Sequence, residues 1–139
     1  MATTKEILES YQREQITLAS PEALTLMLYE AARKSVMQAR TQLSGATVDV
    51  LTASQLARDI FLELADNVNL DHPHGATMRD LYLYCWRTVM TATSHPDPDQ
   101  QFKVVEAVLD RLMAGLRAFM AGQSSHASES APTSLNFVG

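Results

Sequence analysis

Between Ala53 and Val68 the apolar residues Ala53, Leu56, Ala57, Ile60, Phe61, Leu64 and Val68 step by 3, 1, 3, 1, 3 and 4. That spacing lines one face of an α-helix and cannot line one face of a strand. Three further segments show related patterns, and together they commit the chain to helix-on-helix packing. The first opens at Ala19-Ser20-Pro21-Glu22, with Ser20 placed to cap orphan amides, Pro21 fitting the first helical position and Glu22 facing the positive end of the dipole. The spacing predicts a helix from Ser20 to Leu43 that stops at Ser44-Gly45. Its stripe is Leu24, Met27, Leu28, Ala31, Ala32, Ser35 and Ala39, with Leu26, Tyr29 and Val36 off that stripe and Arg33, Lys34, Gln38 and Arg40 on the other side.

The Ala53–Val68 helix takes Asp49 as its candidate cap and ends in the turn Asp71-His72-Pro73-His74-Gly75. A third helix, over 76–93, carries Met78, Leu81, Tyr82, Cys85, Trp86, Val89 and Met90, widened by Leu83 and Tyr84, and breaks at Ser94-His95-Pro96-Asp97-Pro98. The fourth, over 99–121, carries Phe102, Val105, Leu109, Leu112, Leu116 and Phe119, with Val104, Val108, Met113 and Met120 beside them and Gly122 as its expected C-cap. Only five Gly and five Pro occur in 139 residues, too few for an architecture built on strands and tight turns. The expected fold is all-α: an antiparallel up-and-down four-helix bundle over 20–122, a mobile N-terminal arm over 1–19 and a disordered tail over 123–139. Within the arm, Ile7, Leu8 and Tyr11 allow a weak amphipathic turn that needs tertiary help to persist. The tail is rich in Ser, Ala and Thr and ends in an apolar tip of Leu135, Phe137 and Val138.

Several function classes fall away on composition. The net charge is −5, from 11 Lys and Arg against 16 Asp and Glu, which offers no basic footprint for nucleic acid or an anionic membrane. Without an apolar run of about 18 residues there is no membrane-inserting helix, and the polar start does not read as a secretory signal. The single cysteine, Cys85, sits inside an apolar stripe and reads as a small buried hydrophobe, so a cytoplasmic setting is expected.

No Glu-x-x-His pair, phosphate loop or nucleophile elbow occurs, so no catalytic residue, metal ligand or cofactor is assigned. His72 and His74 lack a third ligand and read as turn surface. Glu63, Asp66, Glu106 and Asp110 fall mostly off the apolar stripes, as solvated faces do. What stands out is apolar excess. Seven Met and stripes wider than one core face needs imply surface able to accommodate another chain, although Met also serves as ordinary core filler.

Two segments resemble the FliS family of flagellar export chaperones. Tyr11 to Leu24 (YQREQITLASPEAL) followed by Met27-Leu28-Tyr29-Glu30-Ala31-Ala32 is similar to that family's opening pattern: a Tyr, a β-branched residue five on, Ala-Ser-Pro, then Leu and Met-Leu-Tyr. Leu81-Tyr82-Leu83-Tyr84, with Arg87 and Ala92, resembles its Tyr-Asp-Tyr helix, except that Leu83 replaces the acidic residue. The resemblance covers about residues 8–121. It implies a cytoplasmic bundle that binds the C-terminal segment of flagellin, which turns helical on the bundle, prevents premature polymerisation and delivers flagellin to the flagellar type III export apparatus. It also implies contact with the export-gate protein through the arm, and with other flagellar regulators in some members. A homodimer is possible. On this basis the partner-binding residues are Leu8, Tyr11, Ile16, Leu24, Met27, Leu28, Leu81 and Tyr84. Leu8 and Tyr11 share one face of a helical turn, and the arm either staples to the first helix or covers an apolar groove until flagellin displaces it. The competing readings are a generic helical scaffold without an export role and a cofactor-binding bundle enzyme.

Overall fold

The computed structural model describes residues 3–7, 9 and 20–125. Among these residues four long helices follow one another, α1 (Pro21–Thr41), α2 (Thr47–Asp66), α3 (Gly75–Thr91) and α4 (Pro98–Ser125), with a short 3-10 turn over Ala92–Ser94 and no strand. Two of them start on a side-chain cap. Ser20 Oγ accepts from Ala23 N at 3.1 Å, with Pro21 in the first turn. Asp97 Oδ1 accepts from Gln100 N at 3.1 Å, which caps the α4 start beside Pro98. Before α2 the cap position is Ala46, whose methyl side chain offers no acceptor. Asp49 is therefore not the cap but lies in the first turn, where its charge meets the helix dipole.

The helix ends also shift from the expected places. α1 stops at Thr41, with Gln42 as the C-cap, because the amides of Gln42 and Leu43 turn back onto Ala39 and Arg40 before Gly45 is reached. α4 runs through Gly122 to Ser125, since Gly122 does not take the left-handed conformation a glycine C-cap uses. Between α2 and α3 the chain folds tightly. Asn69 Oδ1 accepts from Asp71 N at 3.0 Å and His72 Nδ1 from His74 N at 3.1 Å. A side chain at Gly75 would run into the Asn69 carbonyl, so glycine is required at this close approach.

Short connections make the helices antiparallel. α1 packs against both α2 and α4, α3 packs against α2, and the contact of α3 with α4 is the slighter one. The core holds Leu28, Tyr29, Ile60, Phe61, Leu64, Tyr82, Cys85, Phe102, Val105, Leu109 and Leu116, nearly all without solvent contact. Tyr29 and Val36, which the stripe leaves aside, are fully buried, while Leu24, Met27 and Ala31 are only half-buried. The core face of α1 is thus turned from the expected stripe, because α1 must cover two neighbours at once. Tyr29 and Tyr82 join hydroxyls at 2.6 Å across the bundle from α1 to α3. Burial pushes the Tyr29 hydroxyl up to about 12 and the Tyr82 hydroxyl further up, and it pushes the Cys85 thiol up to about 12.

In the arm, residues 4–7 form a helical turn. Thr3 Oγ1 accepts from Glu6 N at 3.1 Å, the Glu6 carboxylate accepts from Thr3 N at 3.4 Å, and Ile7 packs against the core. Leu8, Tyr11 and Ile16, and the tail beyond Ser125, lie outside the described residues.

Candidate functional site

The edge of α1 toward α2 is built from small residues. Ala31, Ser35 and Ala39 follow one another at one-turn intervals on α1, and Ala53 and Ala57 do so on α2. Small side chains let the two backbones approach closely, and Ser35 uses that approach. Its hydroxyl donates to the Ala53 carbonyl at 2.7 Å and accepts from the Ala57 amide at 3.1 Å, bridging two groups that are natural partners within one α-helix. The same small residues leave little to fill the outer side of the seam. A groove of about 670 Å³ runs there, lined by Met27, Ala31, Ser35, Ala53 and Leu56, with Glu30, Lys34 and Gln38 on its rim. Apart from the buried Ser35 its walls are apolar and half-buried, while its rim is exposed and polar. An apolar trough with a polar rim has the general form of a groove for the apolar face of a helix or an extended apolar segment.

The other edge of α1 is bridged by charge. Arg33 holds Asp110 at 2.6 Å and reaches Glu106 at 3.8 Å, and Arg40 holds Asp99 at 2.8 Å and Glu106 at 3.0 Å. Glu106 is not a solvated residue, as its place off the stripe implied; it is buried between the two guanidinium groups. The hydrogen bond that Arg33 donates to Asp110 raises the Arg33 value, and those that Arg40 donates to Asp99 and then Glu106 raise that of Arg40. Arg40, and after it Lys103, hold the Asp99 carboxyl below its ordinary range. A second, smaller hollow of about 440 Å³ lies here, between Met37 of α1 and Met113 of α4, and is crossed by Arg33 and by Arg117, which pairs with Glu30 at 3.7 Å.

Of the residues expected to bind a partner, Met27 lines the α1/α2 groove. Leu28 belongs to the core at 3% exposure, because it faces inward between Tyr29 and Ala32. Leu24 is half-buried on α1. Leu81 and Tyr84 lie on α3, away from the groove, half-buried and 44% exposed respectively. The residues that shape the groove besides Met27 are Ala31, Ser35, Ala53 and Leu56. The signal that marks them is the pair of one-turn repeats of small residues on consecutive helices. Among the described residues no three His, Cys, Asp or Glu side chains gather as a metal site would require, and no helix is long and apolar enough to cross a membrane.

The family model described as flagellar protein FliS matches residues 4–123. No curated protein and no solved structure matches the chain.

Proposed function

The chain belongs to the FliS family of flagellar proteins, a chaperone family rather than an enzyme family, and on that premise we propose that it binds the C-terminal segment of flagellin in the cytoplasm. The observation that carries the reading is the apolar trough between α1 and α2, open to solvent and walled by Met27, Ala31, Ala53 and Leu56. A segment whose apolar side chains recur at helical spacing gains by laying that face into the trough, and it becomes helical as it does so. While it is held, the same face is not free to pair with another flagellin, which prevents premature polymerisation. Release at the export gate completes delivery to the type III apparatus. In this reading Leu8, Tyr11 and Ile16 of the arm, with Tyr84 on α3, serve contacts to the gate or to further flagellar regulators.

Titration calorimetry of the full chain with flagellin tests the proposal. We expect one-to-one binding with a negative heat-capacity change, the mark of apolar burial. The comparison is flagellin without its last ~40 residues, enough for a helix of ~20 residues along each side of a ~30 Å bundle. Undiminished binding of the shortened flagellin defeats the reading.

A further inference from the structure

The apolar tip of the tail has no part in the function proposed above. Leu135, Phe137 and Val138 follow His126 to Ser134, nine residues among which only alanine and proline are apolar. We infer that these three side chains occupy the α1/α2 groove of their own chain, so that the tail is an internal competitor for whatever the groove receives. This goes beyond the flagellin reading and does not depend on it, because docking of the tail needs only the groove.

Reach permits it. Arg117 of α4 meets Glu30 of α1 at 3.7 Å, and the two helices are antiparallel. Eight further residues carry α4 to Ser125, about 12 Å at the helical rise, which brings its end level with the first turn of α1. Met27, the groove residue nearest that end, lies about 8 Å back along α1. Nine residues of extended chain span up to about 30 Å. That covers this axial step and a crossing of α1, whose width with side chains is about 10 Å.

Size favours this groove over its neighbour. Apart from Ser35 its walls are methionine, leucine and alanine inside a polar rim, its volume is about 670 Å³, and Met27 offers a thioether to the Phe137 ring. The α1/α4 hollow is smaller, and an apolar tip seated there would strip water from Arg33, which pairs with Asp110. A tail seated nine parts in ten would weaken the entry of an outside helix about tenfold.

The test is Phe137 replaced by the photoreactive analogue p-benzoylphenylalanine in the full chain, irradiated without any partner, with cross-links mapped by mass spectrometry. The expected result is a cross-link within one chain to Met27 or Leu56, with a yield unchanged on dilution. Filling the groove with Ala53→Trp should cut that yield severalfold while the circular dichroism stays helical. If that variant loses its helical signal, Ala31→Glu, which sets a charge in the same wall, takes its place. Cross-links that map elsewhere overturn the inference. So does a between-chain product that grows with concentration, which makes the occupant a second copy, or a yield indifferent to both groove variants. Flagellin is absent throughout, so the outcome is independent of the calorimetric test.

Discussion

Along its two edges α1 meets its neighbours by different chemistry. Toward α4 it sets Arg33 and Arg40 against Asp99, Glu106 and Asp110, and long side chains bridge the seam beside a smaller hollow. Toward α2 it offers Ala31, Ser35 and Ala39, the backbones close up, and the outer side stays empty. Charge pairs are directional and tolerate few alternative registers, so the α4 seam is suited to fixing which helices lie side by side. Small apolar residues make a contact that is close but shallow, and the surface above it stays open to solvent. One helix therefore contributes both to holding the bundle and to its open face.

Crowding the close seam should have the largest effect. Ala57 has no solvent exposure and its amide donates to Ser35, so Ala57→Leu must push α1 from α2. We expect a loss of ~3 kcal/mol, seen as a fall of roughly 10 °C in melting temperature. An unchanged melting point would mean that the two helices are not in close contact there.

Removing the shared acid of the other seam comes next. Glu106→Ala leaves Arg33 and Arg40 facing each other with only Asp99 and Asp110 to balance them. Both arginines keep about 30% of their side-chain exposure (31% and 29%), so the cost should be ~2 kcal/mol, below that of breaking a fully buried pair. Added salt should weaken the parent protein and Ala57→Leu alike but affect Glu106→Ala less. Equal salt slopes in all three would remove the electrostatic half of the comparison. Asp99 adds an acid limb: its folded-state value is lowered, so its contribution is present above its ordinary value and fades as pH falls through the lowered one.

The diagonal brace between the seams gives a smaller effect with an opposite pH sign. Tyr29→Phe should cost ~1 kcal/mol through the lost hydroxyl pair. Tyr29 and Cys85 are held neutral, with folded values raised to about 12 from ordinary values of 10.0 and 9.0. The stability linked to them is complete below the ordinary values and is lost as pH rises toward 12. Thermal melts should therefore hold steady to about pH 9 and fall beyond it, and a thiol reagent should label native Cys85 slowly. Rapid labelling at neutral pH would show that the α3 core is open.

The bundle was legible because its signals are local. Ser20 and Pro21 mark a helix start, Pro73 and Gly75 mark a turn, and the steps from Ala53 to Val68 mark a buried face. The groove was less legible because it depends on what two helices do to each other. Ala31 and Ala53 read as ordinary stripe positions, and their small size gains meaning only once the helices are adjacent. Glu106 was misplaced for the same reason, since its arginine partners lie 66 and 73 residues earlier in the chain. Leu28 matched a recognisable pattern, but a pattern does not tell inward from outward on a helix with two neighbours.

Ser35→Ala should have the smallest effect, and it separates two explanations of the close seam. If the hydroxyl draws α1 onto α2, its loss should cost as much as crowding at Ala57. If the alanines set the distance, removal leaves Ala53 O and Ala57 N free to pair with each other along α2, as residues four apart in a helix do. No buried polar group is then stranded, and the cost stays below about 1 kcal/mol. The structure favours the second outcome, because the serine binds both halves of one helical hydrogen-bond position and takes neither from elsewhere. Chemical denaturation of Ser35→Ala beside Ala57→Leu gives the answer. A small loss for the first and a large one for the second leaves the small residues as the cause of both the close approach and the groove above it, whereas matching losses would transfer that role to the hydroxyl.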